Sequence, residues 1–201
     1  MKKFELTREF ITFLGRKLFR IKALVEFGDV KAGELGGYVE KEENIDHEGD
    51  AWVYGNARVY GNAWVSGDAR VYGNAWVCGD ALVCGDAWVY GDARVSGNAR
   101  VYGDALVYGN ARVYGNALVV KQEDIIFTAA KFGTIFRTTT AYRTTDGVQI
   151  NCGCFSGNLE EFREQITQTR EGRMREKYLH HADEIEMYFD LDLEKEEKEG
   201  W

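Results

Sequence analysis

The sequence predicts a mainly β protein: a left-handed parallel β-helix of about four coils, followed by a small C-terminal αβ unit of a β-hairpin and two helices. Three observations predict it. Ala recurs every six residues from Ala51 to Ala117, Val recurs every six from Val53 to Val119, and a Gly-Asn or Gly-Asp pair separates successive units. A fixed short period over a long stretch is the signature of a solenoid.

Each position of the hexapeptide has its own physical reason. Ala and Val stand two apart, so on a strand they face the same side, which must be the interior. The residue between them and the Tyr-type residue after Val face solvent. Gly-Asn and Gly-Asp tolerate positive φ and turn the chain. One hexapeptide is therefore a short strand plus a corner, and three make a triangular coil of 18 residues. At about 4.8 Å per coil the prism is roughly 19 Å long. A hairpin sheet is the alternative, but Asn-Gly hairpins need longer strands and the order here is Gly-Asn.

Residues eighteen apart stack, so each face can be written as columns. The first face carries Trp52, Arg70, Trp88 and Leu106, beside a Tyr ladder of Tyr54, Tyr72, Tyr90 and Tyr108. Asp50, Asp68, Asp86 and Asp104 form an unbroken column at its leading corner. The second face carries Arg58, Trp76, Arg94 and Arg112, with Tyr60, Cys78, Ser96 and Tyr114. The third carries Trp64, Leu82, Arg100 and Leu118, with Ser66, Cys84, Tyr102 and Val120. Two readings fit these columns. Aromatic rings can stack on themselves with Arg between them, and a face rich in Trp, Tyr and Arg can be a protein interface. The interface residues expected are Trp52, Tyr54, Arg70, Tyr72, Trp88, Tyr90 and Tyr108, with a homotrimer as the assembly. A Ca²⁺ site on the Asp column is weak, since one carboxylate per level supplies too few ligands.

The flanks divide the rest. Residues 1–49 read as a β-rich cap, 50–120 as the repeat, 121–189 as the αβ unit and 190–201 as an acidic tail. In the cap, Val39 and Ile45 fall in the Ala register, and His47 falls in the Val register as a half-buried, hydrogen-bonded imidazole. In the αβ unit, Thr134 to Tyr142 is β-branched and aromatic, Thr145-Asp146-Gly147 signals a hairpin turn, and Val148 to Phe155 is the return strand. Asn158 with Glu161 makes a capping box, starting a helix with Phe162, Ile166 and Thr169 on one face. A second helix runs from Arg173 to Phe189 with Tyr178, Ala182, Ile185 and Phe189 inward.

The alternation of Val53 with Ala57 and Val59 with Ala63 resembles the bacterial hexapeptide-repeat transferase superfamily, whose enzymes commonly place a catalytic or metal-binding His in the coils. Here His47, His180 and His181 all lie outside the regular repeat. Lys31-Ala-Gly-Glu-Leu-Gly-Gly-Tyr-Val-Glu, Glu43-Asn-Ile-Asp-His-Glu-Gly-Asp-Ala-Trp-Val, Tyr142-Arg-Thr-Thr-Asp-Gly and Cys152-Gly-Cys-Phe-Ser-Gly-Asn-Leu-Glu-Glu-Phe resemble a family of uncharacterised hexapeptide-repeat proteins frequent in bacteriophages, prophages and other mobile elements. That family commonly carries a His after the Thr of its first C-terminal helix; this chain has Arg170 after Thr169. The resemblance implies architecture, and no established chemistry comes with it.

Composition narrows the function. A net charge of −8 over 201 residues argues against nucleic acid. No apolar run approaches the ~20 residues needed to cross a bilayer, so no membrane partner is expected. Met1-Lys2-Lys3-Phe4-Glu5 lacks a signal peptide's apolar stretch, so a cytoplasmic location, in the host bacterium if phage-encoded, and reduced thiols are expected. Neither Cys78 with Cys84 nor Cys152 with Cys154 has zinc-knuckle spacing; they read as plain thiols, with no metal and no cofactor. An acyltransferase or carbonic-anhydrase-like enzyme lacks its His here, and no catalytic residue is expected. A non-catalytic binding protein is the leading reading, capturing a ligand or a host partner, with host-defence antagonism as its setting. A small nucleotide would be held by Arg137, Tyr142, Arg143, Cys152, Cys154 and Ser156, which combine a cation, an aromatic and loop donors; the alternative for each is that it shapes the hairpin. A trimeric structural scaffold is the remaining possibility.

Overall fold

The structure is a computed structural model that describes residues 1–132 and 135–191, without the side chains of residues 129–132 and 135–137. Most of the acidic tail, from residue 192, lies outside the described residues. The chain divides into two compact units, Met1–Gln122 and Glu123–Trp201.

The first unit opens with β1 (Phe4–Phe13) and β2 (Arg16–Ala23), an antiparallel hairpin turned at Leu14 and Gly15, both at positive φ. β2 pairs antiparallel with β3 (Leu35–Val39). Twelve two-residue strands follow, one per hexapeptide. They are β4 (Trp52–Val53), β5 (Arg58–Val59), β6 (Trp64–Val65), β7 (Arg70–Val71), β8 (Trp76–Val77) and β9 (Leu82–Val83). Then come β10 (Trp88–Val89), β11 (Arg94–Val95), β12 (Arg100–Val101), β13 (Leu106–Val107), β14 (Arg112–Val113) and β15 (Leu118–Val119). They form three parallel sheets, β4-β7-β10-β13, β6-β9-β12-β15, and β5-β8-β11-β14 continued by β3, β2 and β1. Register steps by eighteen, as Trp52↔Arg70↔Trp88 shows. All twelve repeat Val and all twelve repeat Ala are at most 1% exposed. This is a parallel β-solenoid, and its core is the Ala–Val column stack. Each buried Val contributes on the order of 1.5–2 kcal/mol before chain entropy is subtracted.

The solenoid has about five turns rather than four, because the cap already contains part of one. β3 pairs in parallel with β5 through Val39↔Val59, and Ile45 bridges Val65. Both therefore sit in the Val register, not the Ala register expected for them. The offset is two residues: Ile45 to Val53 spans eight positions (53 − 45) where the repeat uses six. The longer corner follows from the missing coil beneath it. Each coil's N–H groups donate to carbonyls of the next coil, as Trp52 N does to Ala69 O at 3.1 Å. Carbonyls of the first coil have no earlier coil to serve them. Lys3 fills that role: its buried ammonium donates to Gly49 O at 3.1 Å and Ala51 O at 3.0 Å. Asn44 does the same for Gly61 O and Ala63 O. At the other end the orphan groups are N–H donors, and Gln122 Oε1 accepts from Leu106 N at 3.2 Å.

The second unit is an antiparallel meander of β16 (Ile125–Phe132), β17 (Ile135–Thr144), β18 (Gly147–Cys152) and β19 (Phe155–Gly157). Two helices follow, α1 (Leu159–Thr169) and α2 (Gly172–Tyr188). The expected hairpin turn at Asp146 is present, but two strands went unforeseen. β16 precedes it, and the expected single return strand to Phe155 folds back at Gly153 and Cys154, where Gly153 takes φ +64°. The capping box forms on both sides: Glu161 N donates to Asn158 Oδ1 at 2.9 Å and Asn158 N to Glu161 Oε2 at 2.8 Å. Phe162, Ile166, Tyr178, Ala182, Ile185 and Phe189 share one core with Ile150. Thr169 does not join it; its side chain is exposed and its hydroxyl donates to Gln165 O.

Candidate functional site

The corners of the prism differ, and the difference is chemical. Between the second and third faces the corner residues are Asn62, Asp80, Asn98 and Asn116; between the first and second they are Asn56, Asn74, Asp92 and Asn110. Each of these corners carries three amides and one carboxylate: Asn62 Nδ2 donates to Asp80 Oδ1 at 3.0 Å, Asn74 Nδ2 to Asp92 Oδ1 at 3.2 Å and Asn98 Nδ2 to Asn116 Oδ1 at 3.3 Å. The corner between the third and first faces carries only Asp50, Asp68, Asp86 and Asp104. Asp68 accepts the backbone N–H of Asp50 at 3.1 Å, and no amide side chain stands between these carboxylates. Like charges one coil apart repel, and among the described residues only the lower coils have cations near: Lys3 acts on Asp50 and Asp68, and Arg70 on Asp50. Local rules broken in this way mark candidate functional surface. An exposed Trp ring follows it on the first face, Trp88 at 39%, two residues after Asp86; Trp64, at 44%, is exposed on the third face, two residues after Asn62.

The Tyr ladder forms. Tyr72 and Tyr90 stack at 4.9 Å and 1°, Tyr90 and Tyr108 at 5.3 Å, and Tyr54 meets Tyr72 edge-on at 6.5 Å. The rings use their faces on one another, so the ladder presents edges and hydroxyls outward. Burial, with Tyr90 alongside, pushes the Tyr72 phenol up, and burial does the same to Tyr54. Arg70 lies over Trp88 at 5.6 Å and pairs with Asp29 at 2.7 Å. Trp52 is fully buried beneath Phe4 and Phe27, so the cap covers this residue of the expected interface. On the second face Trp76 lies between Arg94 at 4.1 Å and Arg58 at 5.7 Å, with Phe13 against Trp76 and Tyr60. The stacked-ladder reading thus describes the first and second faces, and Trp64, Trp88 and Tyr108 remain exposed.

The six residues proposed from sequence as a nucleotide site do different work. Tyr142 is fully buried and its hydroxyl accepts from Asn151 Nδ2 at 2.8 Å. Arg143 reaches Asp124 at 3.7 Å and donates to Phe189 O at 3.2 Å. Ser156 accepts from Gln149 Nε2 at 3.1 Å. The Arg137 side chain lies outside the described residues. Cys152 and Cys154 are the two that share a cavity, of about 50 Å³, with Phe155, Phe162, Gln165, Ile166, Thr169, Arg170 and Tyr178. A drug-sized ligand needs roughly 300 Å³ or more, so this volume suits one or two water-sized groups.

Sequence reasoning missed two arrangements. His47 accepts the Lys3 N–H at Nδ1 and stacks on Phe4 at 4.5 Å, half-buried as expected but tied to a lysine that no motif announced. His181 is buried with Nε2 2.6 Å from Thr128 Oγ1 and Nδ1 3.0 Å from Glu184 Oε2, which fastens β16 to α2. The i, i+3 spacing of His181 and Glu184 was a visible signal; Thr128 was not. Among the described residues no group of three or more His, Cys, Asp or Glu is placed to hold a metal, and no helix is long and apolar enough to cross a membrane.

With this geometry in view, the repeat can be compared with known families. It is similar to the YdcK beta solenoid repeat. The matches cover residues 51–67, 63–79, 93–109 and 105–120, each about one coil long. The chain is therefore a repeat-containing β-helix protein, with the likeness confined to the coils. No curated protein matches it.

Proposed function

We propose that this chain is a non-catalytic binding protein that works by protein–protein contact, and that its acidic edge takes a second copy of the same chain. The observation that carries the reading is the all-Asp corner with the exposed Trp88 beside it and the exposed Trp64 on the adjoining third face. Trp at the rim of a charged strip is the composition of an interface hot spot. The chain's own second face supplies the complement: Arg94 and the exposed Arg112 stand one coil apart, as do Asp86 and Asp104. Both columns repeat at the coil spacing, so two copies with parallel axes match charge for charge along the edge. The mass expected is a trimer. A host protein, the occupant suggested by the resemblance to mobile-element proteins, is the competing outcome.

Light scattering on the full chain at two salt concentrations tests this. The expected result is a mass above the monomer at low salt that falls with salt and falls to the monomer in W64A/W88A. A monomer at every concentration and salt would overturn it.

A further inference from the structure

Cys152 and Cys154 are a closely spaced thiol pair that the binding reading leaves unused. Cys152 ends β18, pairs across the turn with Phe155, and is 6% exposed. Gly153 at φ +64° makes the two-residue turn, and Cys154 is exposed at its tip. Both thiols are free and both line the same cavity of about 50 Å³. Thr139 donates its hydroxyl to Cys152 Sγ at 3.2 Å, which fixes that sulfur beside the turn. Arg170 lines the same cavity, its guanidinium over the Tyr178 ring at 5.5 Å and donating to Thr169 O at 3.2 Å.

We propose that Cys154 and Cys152 are the attacking and resolving thiols of a thiol–disulfide exchange site that takes a small anionic disulfide. The exposed Cys154 thiolate attacks one sulfur of the substrate disulfide. That S–S bond breaks, and the first leaving thiolate takes up the proton that Cys154 gave to solvent. The product is a mixed disulfide on Cys154. Cys152, held beside it by the turn and bonded by Thr139, then attacks Cys154 Sγ, and the second thiolate leaves with the proton from Cys152. Two protein thiols are oxidised to one disulfide while one substrate disulfide is reduced to two thiols. Arg170 faces the incoming carboxylates. The hairpin turn sets the order of events: the exposed sulfur meets substrate, and the buried one meets only its neighbour.

The test uses the full chain with Cys78 and Cys84 replaced by Ser, leaving only this pair, and glutathione disulfide as the oxidant. Intact-mass analysis after acid quench and alkylation is the readout. The parent is expected to lose two alkylatable thiols without keeping a glutathionyl group. C152S is expected to stop at one glutathionyl group on Cys154, and C154S to stay reduced over the same time. Stable glutathionylation of the parent, or C154S reacting as fast as C152S, would overturn the assignment. R170Q is expected to slow reaction with glutathione disulfide roughly tenfold at low ionic strength, and to leave the rate with neutral hydroxyethyl disulfide unchanged. Equal slowing of both, or of neither, would overturn the anionic-substrate assignment. Oligomeric mass is not involved, so this site and the acidic edge stand or fall separately.

Discussion

Lys3 and Glu40 hold the first coil from outside the repeat, and each does so with a charge. Burial lowers the Lys3 ammonium against the opposing pull of Asp46, Asp50 and Asp68, and its three carbonyl partners are what keep it in place. K3M should remove those donors and expose the unserved carbonyls, a loss of about 1–3 kcal/mol read as a lower Tm. Burial would raise the Glu40 carboxyl, but the Gly61 N–H at 2.7 Å and Arg16 at 2.8 Å outweigh it and hold the group below its ordinary value. A carboxyl depressed in the folded state contributes stability above its unfolded pKa and loses it as pH falls. The Tm difference between the parent and E40Q should therefore be largest near neutral pH and close as pH drops through the carboxylate range; a constant difference would count against it. Neither residue was legible in the sequence, because capping an open solenoid end is defined by the coil that is absent. Gly85 was legible. It takes φ +68°, and a Cβ there would lie 2.9 Å from Gly103 N. G85A should cost on the order of 1–3 kcal/mol, seen as a Tm drop with the β signal otherwise intact.

Elements that obey a strict local rule were read correctly. The hexapeptide period placed all twelve strands, and the capping box placed the start of α1, because the information sits within six and three residues respectively. N158A should cost about 1 kcal/mol and raise amide exchange in the first turn of α1 while the solenoid amides stay protected. Elements decided by partners farther away were misread. Val148 to Phe155 has the composition of one strand, yet Gly153 reverses it into β18 and β19. The cap register slipped by two because the corner from Asp46 to Asp50 makes room for Lys3, a residue more than forty positions earlier. Trp52 was read as exposed from its column and is covered by Phe4 and Phe27 for the same reason. The columns themselves, and with them the all-Asp corner, were visible by counting in eighteens; which rings stay exposed was not, since that depends on where the cap ends.

For the whole molecule, three faces built from one repeat have become unlike. One corner concentrates negative charge beside the exposed Trp88 ring, and the opposite face concentrates Arg. A regular solenoid needs neither for its core, which is Ala and Val throughout. The direct measurement is a charge-exchange experiment between two variants, D86K/D104K and R94E/R112E, each followed by light scattering alone and mixed. Self-association through complementary columns predicts two variants that are monomeric alone and form species above the monomer mass only when combined, since each edge then meets its complement on the other variant. Variants that keep the parent's mass alone, or that stay monomeric when mixed, would contradict it.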